Sequence, residues 1–191
     1  MYADGMIYAH GENGTVGLIE PSPEGLKVVS TFKVTHGSDE HWARPVIANG
    51  RLYIRHGNAM MAYEIKSDSP AATTTDGAGV WPQYPSKQFA NDHKGGPSCT
   101  PALDLDRGAG RVWFLSRVGQ LVCLSAAEGE ELWTKSLTEE LGAKVPPWGF
   151  SGSPFVDLQA VYLDVGRIVA FDRSSGRLLW QTKDYRTAYA T

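Results

Sequence analysis

An all-β fold is predicted by three features of the 191-residue sequence. Helical periodicity is nearly absent, short apolar runs bounded by Gly, Asn, Asp and Pro recur from end to end, and one strand-start motif returns four times. The motif reads Gly5-Met6-Ile7-Tyr8, Gly50-Arg51-Leu52-Tyr53, Gly110-Arg111-Val112-Trp113 and Gln159-Ala160-Val161-Tyr162. Each copy is followed by a loop and a second apolar strand: Thr15 to Glu20, Ala59 to Ile65, Gln120 to Ser125 and Arg167 to Asp172. Repeats of four short strands at about 40–50 residues are the signature of β-propeller blades, whose stacked sheets bury both faces and so carry near-continuous apolar runs. About four blades fit in this chain.

Composition narrows the field of partners. With 18 Lys+Arg against 21 Asp+Glu the formal charge is −3, far from the basic balance that phosphate-backbone binding requires, so nucleic acid is not an expected partner. A hydrophobic share of 42% with 21 glycines is that of a globular domain. No apolar run approaches the roughly 18 residues of a membrane-spanning helix, and no membrane span is expected. Met1-Tyr2-Ala3-Asp4-Gly5 shows no basic start or apolar stretch, so no secretory signal is read there. Cys99 and Cys123 match no paired-ligand spacing and read as small buried apolar residues.

In the first unit, Asn13-Gly14 divides Met6–Ala9 from Val16–Ile19 and reads as a two-residue hairpin turn, Pro23-Glu24-Gly25 forms a later turn, and a first strand is missing. The second unit holds the clearest hairpin, Pro45–Ala48 and Arg51–Arg55 around Asn49-Gly50, and stops near Ile65-Lys66 without a fourth strand. Residues 67–79 are small and polar, the composition of a flexible linker. The third and fourth units run from Pro101-Ala102 and Pro154-Phe155 into Gly129 to Trp133 and Gly176 to Trp180. The one helical candidate, Ser136 to Leu141 before Gly142, is expected to be a single turn of no weight in the core.

The Gly-x-x-x-Trp segments, Gly129 with Trp133 and Gly176 with Trp180, resemble the blade motif of the PQQ-like β-propeller family, which embraces quinoprotein alcohol dehydrogenase-like and BamB-like chains. The resemblance covers nearly the whole chain outside about 67–79. It implies that each Gly closes a turn between third and fourth strands and that each Trp docks between blades. Trp81-Pro82-Gln83 resembles the opening of such propellers and His41 to Lys66 a closing blade, so residues 1–66 read as two units of C-terminal type and 80–191 as two of N-terminal type. The pattern suggests a permuted half-propeller, closing either within one chain as four blades or between two copies as an eight-bladed ring.

The motifs of chemistry are mostly negative. His36 and His41 have the spacing of half a zinc site without further ligands and read as loop residues, so no metal site is assigned. Asp104-Leu105-Asp106-Arg107-Gly108 departs from a calcium loop and reads as a hairpin loop. Gly149-Phe150-Ser151-Gly152-Ser153 misses the nucleophile-elbow spacing, and Lys94-Gly95-Gly96-Pro97 is no phosphate loop. What remains is the face where loops lead into the innermost strands. There His41, Trp42, Arg44, Trp148 and Phe150 combine aromatic area with a fixed positive charge, the composition of a recognition site. The other reading is that Trp42 and Trp148 plug the ring or pack on neighbouring blades, as most aromatic residues of repeat proteins do. The favoured function is a non-catalytic binding or scaffold module for a protein or small-molecule partner, or for a second copy of itself, with no catalytic residue and no cofactor. The alternative implied by the resemblance is part of a quinoprotein dehydrogenase using PQQ and calcium. A periplasmic or cell-envelope setting is implied by the same resemblance alone.

Overall fold

The computed structural model describes residues 1–37, 41–57, 59–65, 79–80, 99–104 and 110–185. They form four antiparallel four-stranded sheets, each ordered as the chain runs. Sheet 1 contains β1 (Tyr2–Ala3), β2 (Met6–His10), β3 (Thr15–Ser22) and β4 (Gly25–Lys33). Sheet 2 contains β5 (Val46–Ala48), β6 (Arg51–His56), β7 (Ala59–Glu64) and β8 (Gly79–Val80). Sheet 3 contains β9 (Ala102–Asp104), β10 (Arg111–Leu115), β11 (Gln120–Ser125) and β12 (Glu131–Ser136), followed by the helix α1 (Leu137–Leu141). Sheet 4 contains β13 (Phe155–Val156), β14 (Ala160–Asp164), β15 (Ile168–Asp172) and β16 (Leu178–Gln181).

Local turn chemistry explains the hairpins. Asp4-Gly5 and Asn49-Gly50 both have two successive positive φ angles, 51° and 77°, and 49° and 70°, the conformation that joins twisted strands through two residues. Asp4-Gly5 thereby pairs Tyr2 and Ala3 with Ile7 and Met6, which supplies the first strand that the sequence reading denied to the first unit. Asn13-Gly14 departs from expectation as well. Only Gly14 has positive φ, and the loop is closed by Gly11 N–H on the Thr15 carbonyl and Gly14 N–H on the Gly11 carbonyl. The Asn13 side chain accepts from Thr15 N–H at 3.0 Å, an Asx turn that outcompetes the two-residue hairpin. The missing fourth strand of the second unit is also present, because Gly79–Val80 pairs with Ala62 and Met61. Gly79 closes the segment read as a linker; residues 67–78, like Trp81-Pro82-Gln83 and 187–191, lie outside the described residues.

Register builds the same row in every sheet. Across sheet 3, Ala102, Trp113, Cys123 and Trp133 lie opposite one another, and across sheet 4 the equivalent row is Phe155, Tyr162, Ala170 and Trp180. In sheet 2 it is Val46, Tyr53, Ala62 and Gly79, and in sheet 1 it passes through Tyr8, Leu18 and Ser30. In sheets 1, 2 and 3 the row faces the following sheet. Tyr8 packs with Leu52, Ile54 and Met61, whereas Tyr53, Trp113 and Trp133 share a second cluster with Val112, Val161, Leu163 and Phe171. Because adjacent residues face different neighbours, β6, β10 and β11 are buried along almost their whole length. Leu137 of α1 is fully buried in that cluster, so the single helical turn, capped by Ser136 and by Gly142 at positive φ, does contribute to the core.

The seam between sheets 3 and 4 turns on one glycine. Gly129 (φ 74°) and Gly176 (φ 68°) sit at the same position of the turn from third to fourth strand, each donating its N–H four residues back, to Ser125 and Asp172. A Cβ at Gly176 would lie 2.8 Å from the Trp133 ring, and the Trp133 indole N–H donates to the Arg173 carbonyl at 3.3 Å. Trp133 therefore closes on the turn of the next sheet. Trp180, its counterpart, stands on the outer face of sheet 4 and is 48% exposed. Trp133→Ala is expected to cost about 3–5 kcal/mol and Gly176→Ala more than about 1 kcal/mol. The double variant should lose less than the sum, since removing the indole removes the clash; urea unfolding followed by circular dichroism measures all three.

Candidate functional site

At one end of the stacked sheets the turns from second to third strands meet the connections that lead into the next sheet. Val34 N–H donates to the Gly14 carbonyl and Phe150 N–H to the Arg117 carbonyl, so each connection is fastened to the turn beneath it. Thr100 N–H donates to Ser153 Oγ at 2.9 Å, joining the lead-in segments of sheets 3 and 4. Arg55, at the same end of β6, is buried and donates to the Leu115 carbonyl at 2.7 Å with its guanidinium 4.9 Å from the Phe114 ring centre. Burial pushes its ionisation down, and the adjacent Cys99 acts in the opposite sense.

The segment His41-Trp42-Ala43-Arg44 alternates: Ala43 is buried, while Trp42 (45% exposed) and Arg44 point outward. Trp148 is 47% exposed on the connection from sheet 3 to sheet 4. Its carbonyl accepts from the Arg117 guanidinium. Phe150, two residues on, is buried, and a Cβ at Gly119 would sit 2.8 Å from its ring. Of the five residues expected to form a recognition surface, the structure leaves Trp42, Arg44 and Trp148 outermost. Phe150 lies beneath as an anchor, and half-buried His41 is engaged with other histidines. Trp42 and Trp148 belong to different connections, separated along the arc by the lead-in to sheet 3.

Next to Trp148 lies an open cleft of about 460 Å³, lined among others by Lys144, Pro146, Ser151, Asp164, Arg167 and Tyr185. Arg167 is paired with Asp184 at 2.7 Å and donates to the Gln181 side chain at 3.1 Å. Ser151 has no imidazole among the lining residues, and the described histidines interact with one another around sheets 1 and 2. Among the described residues no group of three or more His, Cys, Asp or Glu is arranged to hold a metal ion. Arg55 and Arg117 are both bonded to backbone carbonyls.

Sequence reasoning missed Arg117, Arg55 and Arg173. Arg173 pairs with Asp104, donates to the Asp157 carbonyl at 3.2 Å and stands 5.5 Å from the Trp113 ring centre. Within the Ser116-Arg117-Val118-Gly119 turn an arginine carries no mark of burial, because the segment that covers it is about 30 residues away.

Consecutive four-stranded sheets, a repeated aromatic row and a turn glycine that receives the preceding Trp define a β-propeller of PQQ-like repeats. The chain belongs to the family described as outer membrane protein assembly factor BamB, whose profile matches residues 71–191. Among solved structures it is similar to BamB from Moraxella catarrhalis (15% identity, TM-score 0.62, 93% of this chain and 49% of that one). It is also similar to Sqt1 from Saccharomyces cerevisiae (13%, 0.65, 96% and 48%) and apo AztD from Citrobacter koseri (12%, 0.57, 94% and 45%). At these identities the likeness shows the fold. The chain spans about half the length of these structures. No curated protein matches the sequence significantly.

Phe150→Ala is expected to cost about 3–5 kcal/mol, whereas Trp42→Ala changes stability by no more than about 0.5 kcal/mol; thermal and urea unfolding check both. The Cys123 thiol is pushed up to about 12 by burial, against the opposing pull of Arg111 and Arg173, and burial also raises Cys99. Neither cysteine should react with iodoacetamide at pH 8 in the folded protein, and both should react once urea unfolds it, as peptide mass mapping will record.

Proposed function

We propose that the chain is a non-catalytic propeller module that binds a protein partner through its lead-in face, with Trp42, Arg44 and Trp148 as the contact residues. One observation carries the reading: two of these are tryptophans nearly half exposed on loops, whereas Trp113 and Trp133 are buried between sheets and the equally exposed Trp180 stands on the outer face of sheet 4. Large aromatics beside a fixed cation form energetic centres of protein interfaces. His41 and Phe150 support the loops from beneath. The family description, an outer membrane protein assembly factor, is compatible with a partner-binding role and favours the periplasm or cell envelope as the setting.

The same reading includes a second copy. Tyr2, Ile7, Ile19 and Val28 lie opposite one another on sheet 1, in the register that Val156, Val161, Phe171 and Leu178 use on sheet 4 to receive sheet 3. Tyr2 and Val28 are exposed, as are Phe155 and Trp180 in the outward row of sheet 4. Seating sheet 4 of one copy on sheet 1 of another covers both rows and closes an eight-sheet ring without open faces.

A photo-crosslinking residue at position 42 or 148 should capture the same protein partner, while one at Leu26, exposed on outer strand β4, should not. Saturable tryptophan quenching by PQQ that requires calcium would overturn the non-catalytic reading. Sedimentation should give about twice the chain mass of 20.8 kDa and return to one mass on Trp180→Asp or Val28→Asp; a single-chain mass for the unmodified protein at micromolar concentration rejects the ring.

A further inference from the structure

Three imidazoles meet where sheet 1 joins sheet 2. His10 ends β2, His56 ends β6, and His41 lies on the connection between the two sheets. His10 Nε2 is 3.2 Å from His41 Nδ1, with the rings at 88°. On its other side His41 stacks on His56 at 3.6 Å between ring centres, 17° from parallel. His56 Nδ1 lies 2.7 Å from the His36 carbonyl and so carries the proton of that hydrogen bond. Parallel rings do not aim in-plane lone pairs at a common point, so the trio lacks the convergence of a metal site.

The rings are also closely walled. A Cβ at Gly14 would lie 2.5 Å from His41 Nε2, and one at Gly37 would lie 2.2 Å from the His56 carbonyl oxygen and 2.8 Å from its Nδ1. Both nitrogens of His41 are thus enclosed, by His10 and by the Gly14 backbone. Among the described residues, the groups whose positive charge disfavours a proton on His41 are His56 on β6, His10 on β2 and Lys33 on β4. Burial first, then these neighbours, lower His41 to about 4 from an ordinary 6.5, and His10 is lowered by burial and His56.

We propose that His10, His41 and His56 form a proton-operated latch that fastens the connection bearing Trp42 and Arg44 to sheets 1 and 2 and releases it in mild acid. While His41 is neutral its ring stacks on His56 and bonds to His10; a proton gained there places a positive charge in a partly buried ring contact and opposes both interactions. Because His41 has a depressed value in the folded state, its contribution is intact above about pH 6.5 and is lost as pH falls toward about 4. The latch acts independently of what Trp42 and Arg44 bind.

Native-state hydrogen exchange tests it on the Val34 amide, which donates to the Gly14 carbonyl beside His41. Corrected for intrinsic exchange, its protection factor should fall below pH 6.5 by up to about tenfold per pH unit. Val122 in sheet 3 should retain its protection, and His41→Gln should flatten the response of Val34. Unchanged Val34 protection in the unmodified protein, or an equal fall in the variant, overturns the latch. If the variant does not fold, imidazole nitrogen NMR of the unmodified protein decides. A His41 midpoint well below 6.5, tracked by the Val34 shift, supports the latch, and an ordinary midpoint refutes it.

Discussion

Face-to-face burial of one aromatic row on the next sheet is the constraint from which the rest of the molecule follows. Tyr8, Tyr53 and Trp113 each stand on a second strand and each enter the cluster shared with the sheet that follows. A strand in such a stack has two apolar faces, so alternation disappears and its hydrogen bonds are shielded from water. The same rule makes the ends of the arc different from its middle. Tyr162 holds the equivalent place on sheet 4 and contacts its own sheet's Phe155 and Trp180, at 5.9 and 6.0 Å between ring centres.

Arginines bridge the sheets where the rows end. Arg51 reaches the Ala126 carbonyl at 3.0 Å, Arg55 the Leu115 carbonyl, and Arg173 the Asp157 carbonyl and Asp104. For Arg51 and Arg55 the acceptor is a carbonyl oxygen, which adds no second buried charge, whereas Arg173 also meets the Asp104 carboxylate; the planar fork satisfies several acceptors from one stem. Removing such an arginine leaves carbonyls unpaired in a dry seam, which costs more than the hydrogen bond itself gains.

The exposed residues of the candidate site are therefore mounted on pinned backbone. The carbonyl of Trp148 is held by Arg117, and the next residue, Gly149, lies against the same arginine side chain. Trp42 lies between His41, clasped by two other histidines, and buried Ala43. Loops held in this way lose little conformational entropy when a partner binds, so exposed aromatic area converts more fully into affinity. The two anchors differ in kind: one is an arginine whose charge is constant across physiological pH, the other a set of imidazoles whose charge is not.

Sequence by itself determined the all-β class, the four-fold repeat, the Asn49-Gly50 hairpin and the glycines of the third-to-fourth turns, because each is written in residues close together in the chain. The capped turn at Ser136 to Gly142 was legible for the same reason. Its place in the core was not, since burial of Leu137 depends on sheets formed by distant residues. Asn13-Gly14 misled because a side-chain hydrogen bond to Thr15 competes with the turn that the dipeptide favours. The strands Tyr2–Ala3 and Gly79–Val80 escaped because two residues carry no periodicity; only pairing with a partner strand defines them. The same limit applied to function. Composition suggested His41, Trp42, Arg44, Trp148 and Phe150 as candidates, but telling the exposed three from buried Phe150, and gathering His10, His41 and His56 from three elements, required the tertiary structure, because contact between residues far apart in sequence is decided by how whole sheets stack.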